Sequence, residues 1–115
     1  MGTPLAQQRC EACTPQTPTL SPAEARDLLK EVDSGWSLVE REGKDWLSRI
    51  FRFKGFMPGV ALVNRIAEVA EREGHHPDLE LTYGSLSVRL RTHAADGLTR
   101  NDLVLAAKID RIPAP

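Results

Sequence analysis

All three histidines of the chain, His75, His76 and His93, are predicted to lie at one end of a single hairpin. Histidine is the side chain that titrates nearest neutral pH, so a group of three suits proton transfer or metal binding. Glu71 precedes His75 by about one helical turn, which brings its carboxylate within reach to orient an imidazole. The group therefore suits acid–base catalysis on a small polar molecule. The alternative is that these histidines only end a helix and an edge strand.

Metal binding is a further alternative for the same histidines. Adjacent residues of a strand point to opposite faces, so all three imidazoles converge on an ion only if the strand begins after His76. Cys10 and Cys13 form a single CxxC, and two thiols alone do not complete a tetrahedral zinc site. We expect no bound metal, two reduced thiols, and a flexible N-terminal arm over residues 1–19, where prolines alternate with polar residues.

Residues 20–115 are predicted to form one domain with three helices. The first begins at Ser21, which is followed by proline and, three residues on, by Glu24, and it ends at Ser34-Gly35. The second runs from Pro58 to about Glu73, and Gly74 ends it. The third begins after Thr99 and runs to about Arg111. Asp102 is explained there as the residue whose carboxylate caps the helix.

Four strands fill the gaps between the helices. Residues 36–40 and 46–53 are rich in aromatic and β-branched residues, and a loop at 41–45 separates them. A second hairpin is predicted with Gly84 first in a two-residue turn. The order α-β-β-α-β-β-α predicts an α+β fold, a four-stranded antiparallel sheet with helices packed on one face. The register predicted for the second hairpin pairs Tyr83 with Leu86, Leu81 with Val88, Glu80 with Arg89, Asp78 with Arg91, and His76 with His93.

Two apolar surfaces predict a homo-oligomer with two-fold symmetry, either a dimer or a tetramer. The strand that contains Trp46, Ile50 and Phe51 is predicted to be an edge that pairs with another copy. The last helix carries a second apolar stripe through Leu105 and Ile109. Either a subunit contact or a chain end folded over the stripe would cover it.

The spacing Glu71-x-x-x-His75-His76-Pro77, followed by Tyr83, Thr92-His93 and Asp102, resembles the signature of the pterin-4a-carbinolamine dehydratases. The resemblance covers about residues 20 to 112. It includes Gly35-Trp36, the aromatic run Phe51-x-Phe53-x-x-Phe56 and Gly97-Leu98-Thr99, and it departs at Leu79, where many animal members have tryptophan. The Cys-x-Ala-Cys of the arm is similar to that of bacterial members that work beside phenylalanine hydroxylase.

This resemblance implies dehydration of a 4a-hydroxytetrahydropterin to the quinonoid dihydropterin, in tetrahydropterin recycling, with no cofactor. It implies that His75 and His93 transfer the protons and that His76 binds the pterin and assists, with roles that could be exchanged among the three histidines. It also implies that Glu71 orients an imidazole. Substrate contacts are implied for Pro77, Trp36 and Tyr83, although an ordinary core position explains Trp36 equally well. Animal members are also dimerisation partners of a homeodomain transcription factor, so a non-catalytic regulatory binding protein of the same fold is the alternative.

The charge balance argues against nucleic-acid and membrane partners. Fifteen Lys and Arg oppose sixteen Asp and Glu, which gives a net charge of −1. No apolar run approaches the roughly 20 residues of a membrane span. The N-terminus carries no basic-then-apolar signal segment, so we expect a cytoplasmic protein.

Overall fold

The computed structural model describes residues 3–113, and its order of elements confirms the predicted α-β-β-α-β-β-α fold. Short 3₁₀ turns occupy Leu5–Gln7 and His93–Ala95. The regular elements are α1 (Pro22–Leu29), β1 (Ser37–Arg41), β2 (Lys44–Arg52), α2 (Met57–Glu73), β3 (Asp78–Thr82), β4 (Ser85–Leu90) and α3 (Arg100–Asp110).

Helices α1 and α3 begin where their capping residues predict, and α2 begins at Met57, one residue before the predicted Pro58. At the start of α1, the Ser21 hydroxyl accepts a hydrogen bond from the Glu24 N–H (3.1 Å), and the Glu24 carboxylate accepts one from the Ser21 N–H (2.8 Å). Helix α1 ends at Leu29, earlier than the predicted Ser34-Gly35. The chain leaves the helix in this region, and the Asp33 N–H donates to the Asp110 carboxylate of α3 (2.8 Å).

The strands lie in the order β1-β2-β4-β3, and all neighbours are antiparallel. Helices cover one face, where Leu47 of β2 and Leu86, Val88 and Leu90 of β4 are fully buried. The prediction that β2 forms an edge is wrong, because β2 lies between β1 and β4. The open edges are β1 and β3.

The predicted register of the second hairpin is also wrong, by two residues. Leu81 pairs with Leu86 instead of Val88, and the turn is Tyr83-Gly84 with Gly84 in second position at φ +84°. A two-residue shift keeps every side chain on its predicted face, so the alternation of apolar and polar residues is the same in both registers. The turn decides between them. His76 and His93 are consequently not cross-strand partners, and both lie outside the strands.

The first hairpin closes more tightly than the predicted five-residue loop. Glu42 and Gly43 form a two-residue turn with φ +54° and +77°, and Arg41 pairs with Lys44. Positive φ at both central positions is the pattern of a type I′ turn, whose twist matches that of the flanking strands.

The N-terminal arm packs on α3 and covers part of its surface. Leu5 is 2% exposed and belongs to the hydrophobic core. The Lys108 ammonium donates to the Ala6 carbonyl (3.0 Å). The composition predicts a flexible arm, whereas the described part of the arm packs against α3 and places Leu5 in the core.

Candidate active site

The structure brings the three histidines to one cavity of about 240 Å³. The cavity lies where α2 ends and where β4 gives way to the 3₁₀ turn. The walls come from the end of α2, from the segment after β4 and from the N-terminal arm. The lining residues besides His75, His76 and His93 are Glu11, Cys13, Gly74, Arg91, Thr92 and Ala94.

His75 is held by a buried carboxylate. Gly74 ends α2 in the left-handed conformation (φ +64°), and the His75 N–H donates back to the Ala70 carbonyl (3.2 Å). This turn directs the His75 imidazole inward, where its Nε2 lies 2.6 Å from Oδ1 of Asp102. His75 is 9% exposed and Asp102 is 0% exposed.

Asp102 has more than the capping role that the sequence suggested. Its Oδ2 accepts hydrogen bonds from the Thr92 hydroxyl (2.9 Å) and from the Thr99 N–H (3.0 Å), so the predicted cap is present. Its Oδ1 remains for His75. Sequence reasoning missed this second role because the cap was a sufficient explanation. The signal that could have found it was the place of Asp102 in the family pattern.

His76 pairs with Glu71 in an exposed contact. The His76 Nε2 lies 2.7 Å from the Glu71 Oε1, and the two side chains are 58% and 78% exposed. Glu71 therefore contacts an imidazole, as expected. The spacing of one helical turn favoured His75, but the left-handed Gly74 turns His75 away and leaves His76 beside the helix.

His93 opens the 3₁₀ turn that follows β4, and it packs against an aromatic ring. Its imidazole meets the Trp46 ring edge-to-face, with centroids 5.8 Å apart. The Arg91 guanidinium lies 5.9 Å from the centroid of the same tryptophan. Trp46 was not among the predicted site residues. It comes close to the site because β2 is the neighbour of β4.

Arg91 is a buried cation at the cavity. It is 5% exposed, and its Nη2 donates to Asp96 instead of the predicted Asp78. Hydrogen bonds from Arg91 and then from Lys44 hold the pKa of the Asp96 carboxyl below its usual range. Arg89, which faces Asp78 in the register, lies 3.6 Å from Glu80.

Three other predicted site residues do not line the cavity. Pro77 links His76 to β3 and does not line the cavity. Tyr83 is 80% exposed in the turn at the opposite end of the hairpin. Trp36 is 3% exposed in the core, where its Nε1 donates to Asp110 (2.8 Å). The position of Trp36 matches the ordinary core role that the sequence left open.

The arm forms one wall of the cavity, and Asn101 holds that wall in place. Asn101 is 7% exposed, and its amide accepts from the Glu11 N–H (3.0 Å) and donates to the Glu11 carbonyl (2.6 Å). It also donates to the Cys13 Sγ (3.0 Å). Burial raises the pKa of the Cys10 thiol to about 12. Sequence reasoning separated the arm from the site, because nothing local in the arm indicates where it docks.

A larger groove of about 520 Å³ lies on the other side of the arm. Its lining includes Arg9, Glu24 and Arg100 but none of the three histidines. Glu11 and Cys13 line both spaces, so the three imidazoles are what mark the smaller cavity as the candidate site of proton transfer.

The sequence left a metal site as an alternative and argued against a membrane span. Within residues 3–113, no three His, Cys, Asp or Glu side chains are grouped so as to hold a metal ion. No helix in this same part of the chain has the length and apolarity needed to cross a membrane.

The fold and the cavity define an α+β domain with a histidine-lined site for a small molecule. Comparison of sequences identifies the family. The model of the pterin 4 alpha carbinolamine dehydratase family matches residues 18–112, and the chain belongs to that family. The resemblance noted in the sequence is thereby confirmed.

Relatives of similar length support this membership. A Marinobacter nauticus protein is 42% identical over 108 residues, which are 94% of this chain and 96% of that protein. A Gloeobacter violaceus protein is 46% identical over 110 residues, which are 96% of this chain and 94% of that protein. Both are provisionally named pterin-4-alpha-carbinolamine dehydratases.

Two solved structures share the fold. One is described as a transcriptional coactivator/pterin dehydratase from Brucella melitensis, with a TM-score of 0.72 and 32% identity over 80% of this chain and 95% of that one. The other is described as a pterin dehydratase-like RuBisCO assembly factor of the alpha-carboxysome. Its TM-score is 0.55 at 18% identity, over 66% of this chain and 86% of that one, so it shows the fold alone.

Proposed function

We propose that this chain dehydrates 4a-hydroxytetrahydropterin to the quinonoid dihydropterin and water by histidine acid–base catalysis. The observation that carries the proposal is the single cavity lined by three imidazoles, two of which contact carboxylates. Family membership supplies the substrate class. Imidazole is the side chain best suited to give and take protons near neutral pH.

The reaction needs one proton delivered and one removed. The hydroxyl on C4a leaves as water when a general acid protonates it and the C4a–O bond breaks. A general base removes the proton from N5, and the N5 electron pair completes the C4a=N5 double bond. Each positioned acid or base contributes roughly 10²–10⁴-fold to such a rate.

We assign the two proton transfers to His75 and His93, with His76 binding the ring and assisting. We assign His75 the tautomer that donates from Nε2–H to Oδ1 of Asp102, which keeps Nδ1 free for the substrate. His93 has Trp46 rather than a carboxylate beside its ring, and it supplies the second group. Glu71 holds the exposed imidazole of His76.

The deciding experiment follows the absorbance of freshly generated 4a-hydroxytetrahydropterin. The wild-type protein is expected to accelerate its disappearance well beyond the spontaneous rate, and His75→Ala and His93→Ala each to lower kcat by roughly 10²-fold or more. Glu68→Gln, an exposed carboxylate on α2 away from the cavity, is the control and is expected to match wild type. A wild-type rate equal to the spontaneous rate overturns the proposal.

We further propose that this reaction serves tetrahydropterin recycling in the cytoplasm beside phenylalanine hydroxylase. The support is the resemblance of the Cys10–Cys13 arm to bacterial members that work with that enzyme. Adding the protein to a phenylalanine hydroxylase reaction is expected to raise steady-state turnover when recycling of the pterin limits it. No change under that limitation contradicts this role.

We also propose a homo-oligomer that pairs through an edge strand other than the predicted β2. The open edges are β1 and β3, and each presents unpaired backbone groups to another chain. Light scattering is expected to give a mass at least twice 12.7 kDa at micromolar concentration. A constant monomer mass over rising concentration contradicts it.

A further inference from the structure

The cavity has a second charged side that the proton-transfer mechanism does not use. One of its lining residues, Glu11, carries a carboxyl group; Glu11 lies on the arm opposite the end of α2 and also lines the larger groove of about 520 Å³. The Glu71 carboxylate lies behind His76 and is not part of the lining. Glu11 and Arg91 thus give the cavity one acceptor group and one cationic donor group besides its imidazoles.

Glu11 is fixed through its backbone, which leaves its side chain free for a ligand. Both the N–H and the carbonyl of Glu11 bind the buried amide of Asn101. The Glu11 carboxylate makes no hydrogen bond or ion pair with any other part of residues 3–113. Because the Glu11 backbone is already fixed, a ligand can bind its exposed carboxylate without first ordering the arm.

A pterin ring has an edge that matches this carboxylate. Its N3–H and 2-amino group are adjacent, roughly parallel donors, and a carboxylate accepts both at once in the bidentate geometry familiar from guanidinium pairs. The neighbouring O4 is an acceptor, which suits the Arg91 side of the cavity. The imidazoles are left for C4a and N5 on the other ring.

We propose that Glu11 of the N-terminal arm binds the N3–H and 2-amino donors of the pterin and thereby selects 2-amino-4-oxopteridines. The inference rests on the proposed function, since it names the contact that orients the same substrate. It also makes the arm a part of the binding site, against the sequence-based expectation that the arm is separable from activity. Asn101 acts here as a positioning residue, because it touches the Glu11 backbone and not the ligand.

Calorimetry with two unreactive ligands tests the contact. The first ligand is 7,8-dihydropterin, and the second is the same ring with hydrogen in place of the 2-amino group. Wild type is expected to bind the first about 10-fold or more tightly than the second, because a hydrogen bond to a charged acceptor is lost. Glu11→Gln is expected to weaken dihydropterin binding about 10- to 100-fold and to reduce the preference between the two ligands.

A control variant, and results that separate the failure of this inference from the failure of the proposed function, complete the test. Glu31→Gln changes another exposed glutamate, outside this cavity, and is expected to leave both affinities unchanged. If wild type binds dihydropterin but Glu11→Gln binds both ligands as wild type does, or loses both equally, the inference fails while the proposed function stands. If wild type binds neither ligand, the proposed function fails. The comparison of ligands on wild type needs no variant, so a folding defect in Glu11→Gln does not leave the question open.

Discussion

The Nε2 of His75 lies 2.6 Å from Oδ1 of Asp102, although 27 positions separate these residues along the chain. His75 follows the end of α2, and Asp102 belongs to the first turn of α3. The same carboxylate caps α3 through the Thr99 N–H. One buried group therefore fixes a helix start and the orientation of a candidate catalytic imidazole together.

Asp102→Asn is expected to lower kcat by about 10-fold or more and to cost about 1–3 kcal/mol of stability. The amide nitrogen of asparagine donates, so Nε2 of His75 would become the acceptor and the proton would move to Nδ1. Nitrogen NMR of the His75 ring checks this directly, because a purely structural defect would not exchange the two tautomers. Asp27→Asn, an exposed carboxylate on α1, is the control. An unchanged His75 tautomer together with full activity would contradict the assigned role.

Glu71→Gln is expected to change the free energy of unfolding by less than about 0.5 kcal/mol, because exposed ion pairs contribute little. Activity is expected to fall, since glutamine holds the His76 ring less firmly and removes its negative partner. Glu68→Gln lies on the same helix and separates the loss of charge from the loss of the contact with His76. Chemical denaturation and the dehydration assay are the two measurements. Equal activity in both variants would remove Glu71 from the mechanism.

Local signals predicted the helices well and the long-range contacts poorly. Ser21 with Glu24, and Thr99 with Asp102, place helix starts because both partners lie within four residues. The register of the second hairpin depended on whether Gly84 takes the first or the second turn position, and the faces of the strands are identical in both cases. The predicted clustering of the histidines survived that error, because it depended on the ends of elements rather than on the pairing.

The docking of the arm had no signal in its own sequence. Leu5 is an isolated leucine in a stretch rich in polar residues and proline, and no periodic pattern marks it. In the structure Leu5 packs with α3 in the hydrophobic core. That contact joins residues far apart along the chain, so no local pattern predicts it. For the same reason, Glu11 and Cys13 were left out of the predicted site.

Leu5→Ala is expected to lower the free energy of unfolding by about 2–5 kcal/mol, the range for truncation of a buried leucine. Met57→Ala is the control, because Met57 is 70% exposed and is expected to change stability by less than about 0.5 kcal/mol. Urea denaturation of both variants gives the comparison. A Leu5→Ala effect no larger than that of Met57→Ala would mean that the arm does not pack on α3 in solution.

The attachment of the arm to α2 and α3 is expected to weaken in acid, and Glu73 is the group responsible. Its Oε1 accepts from the Cys10 N–H (2.8 Å), and its Oε2 lies 3.6 Å from the Lys108 ammonium. Burial alone would raise the pKa of the Glu73 carboxyl, but the Cys10 N–H and then Lys108 lower it below its usual range. The lowered value means that the folded chain favours the ionised form.

The direction of the pH effect follows from that lowered pKa. A carboxyl that is more acidic in the folded chain stabilises the fold above its unfolded pKa, about 4.3 for glutamate, and this stabilisation is lost as the pH falls through the lower folded value. Glu73→Gln lacks this titration. Wild type is therefore expected to exceed Glu73→Gln in Tm most clearly at pH 6–7, and the gap is expected to shrink towards about pH 3. Glu24 and Asp96 also have lowered pKa values, but both proteins retain them, so their effects cancel in the difference. Thermal unfolding at several pH values measures the gap, and a gap that stays constant from pH 7 to 3 would show that Glu73 does not carry the pH dependence.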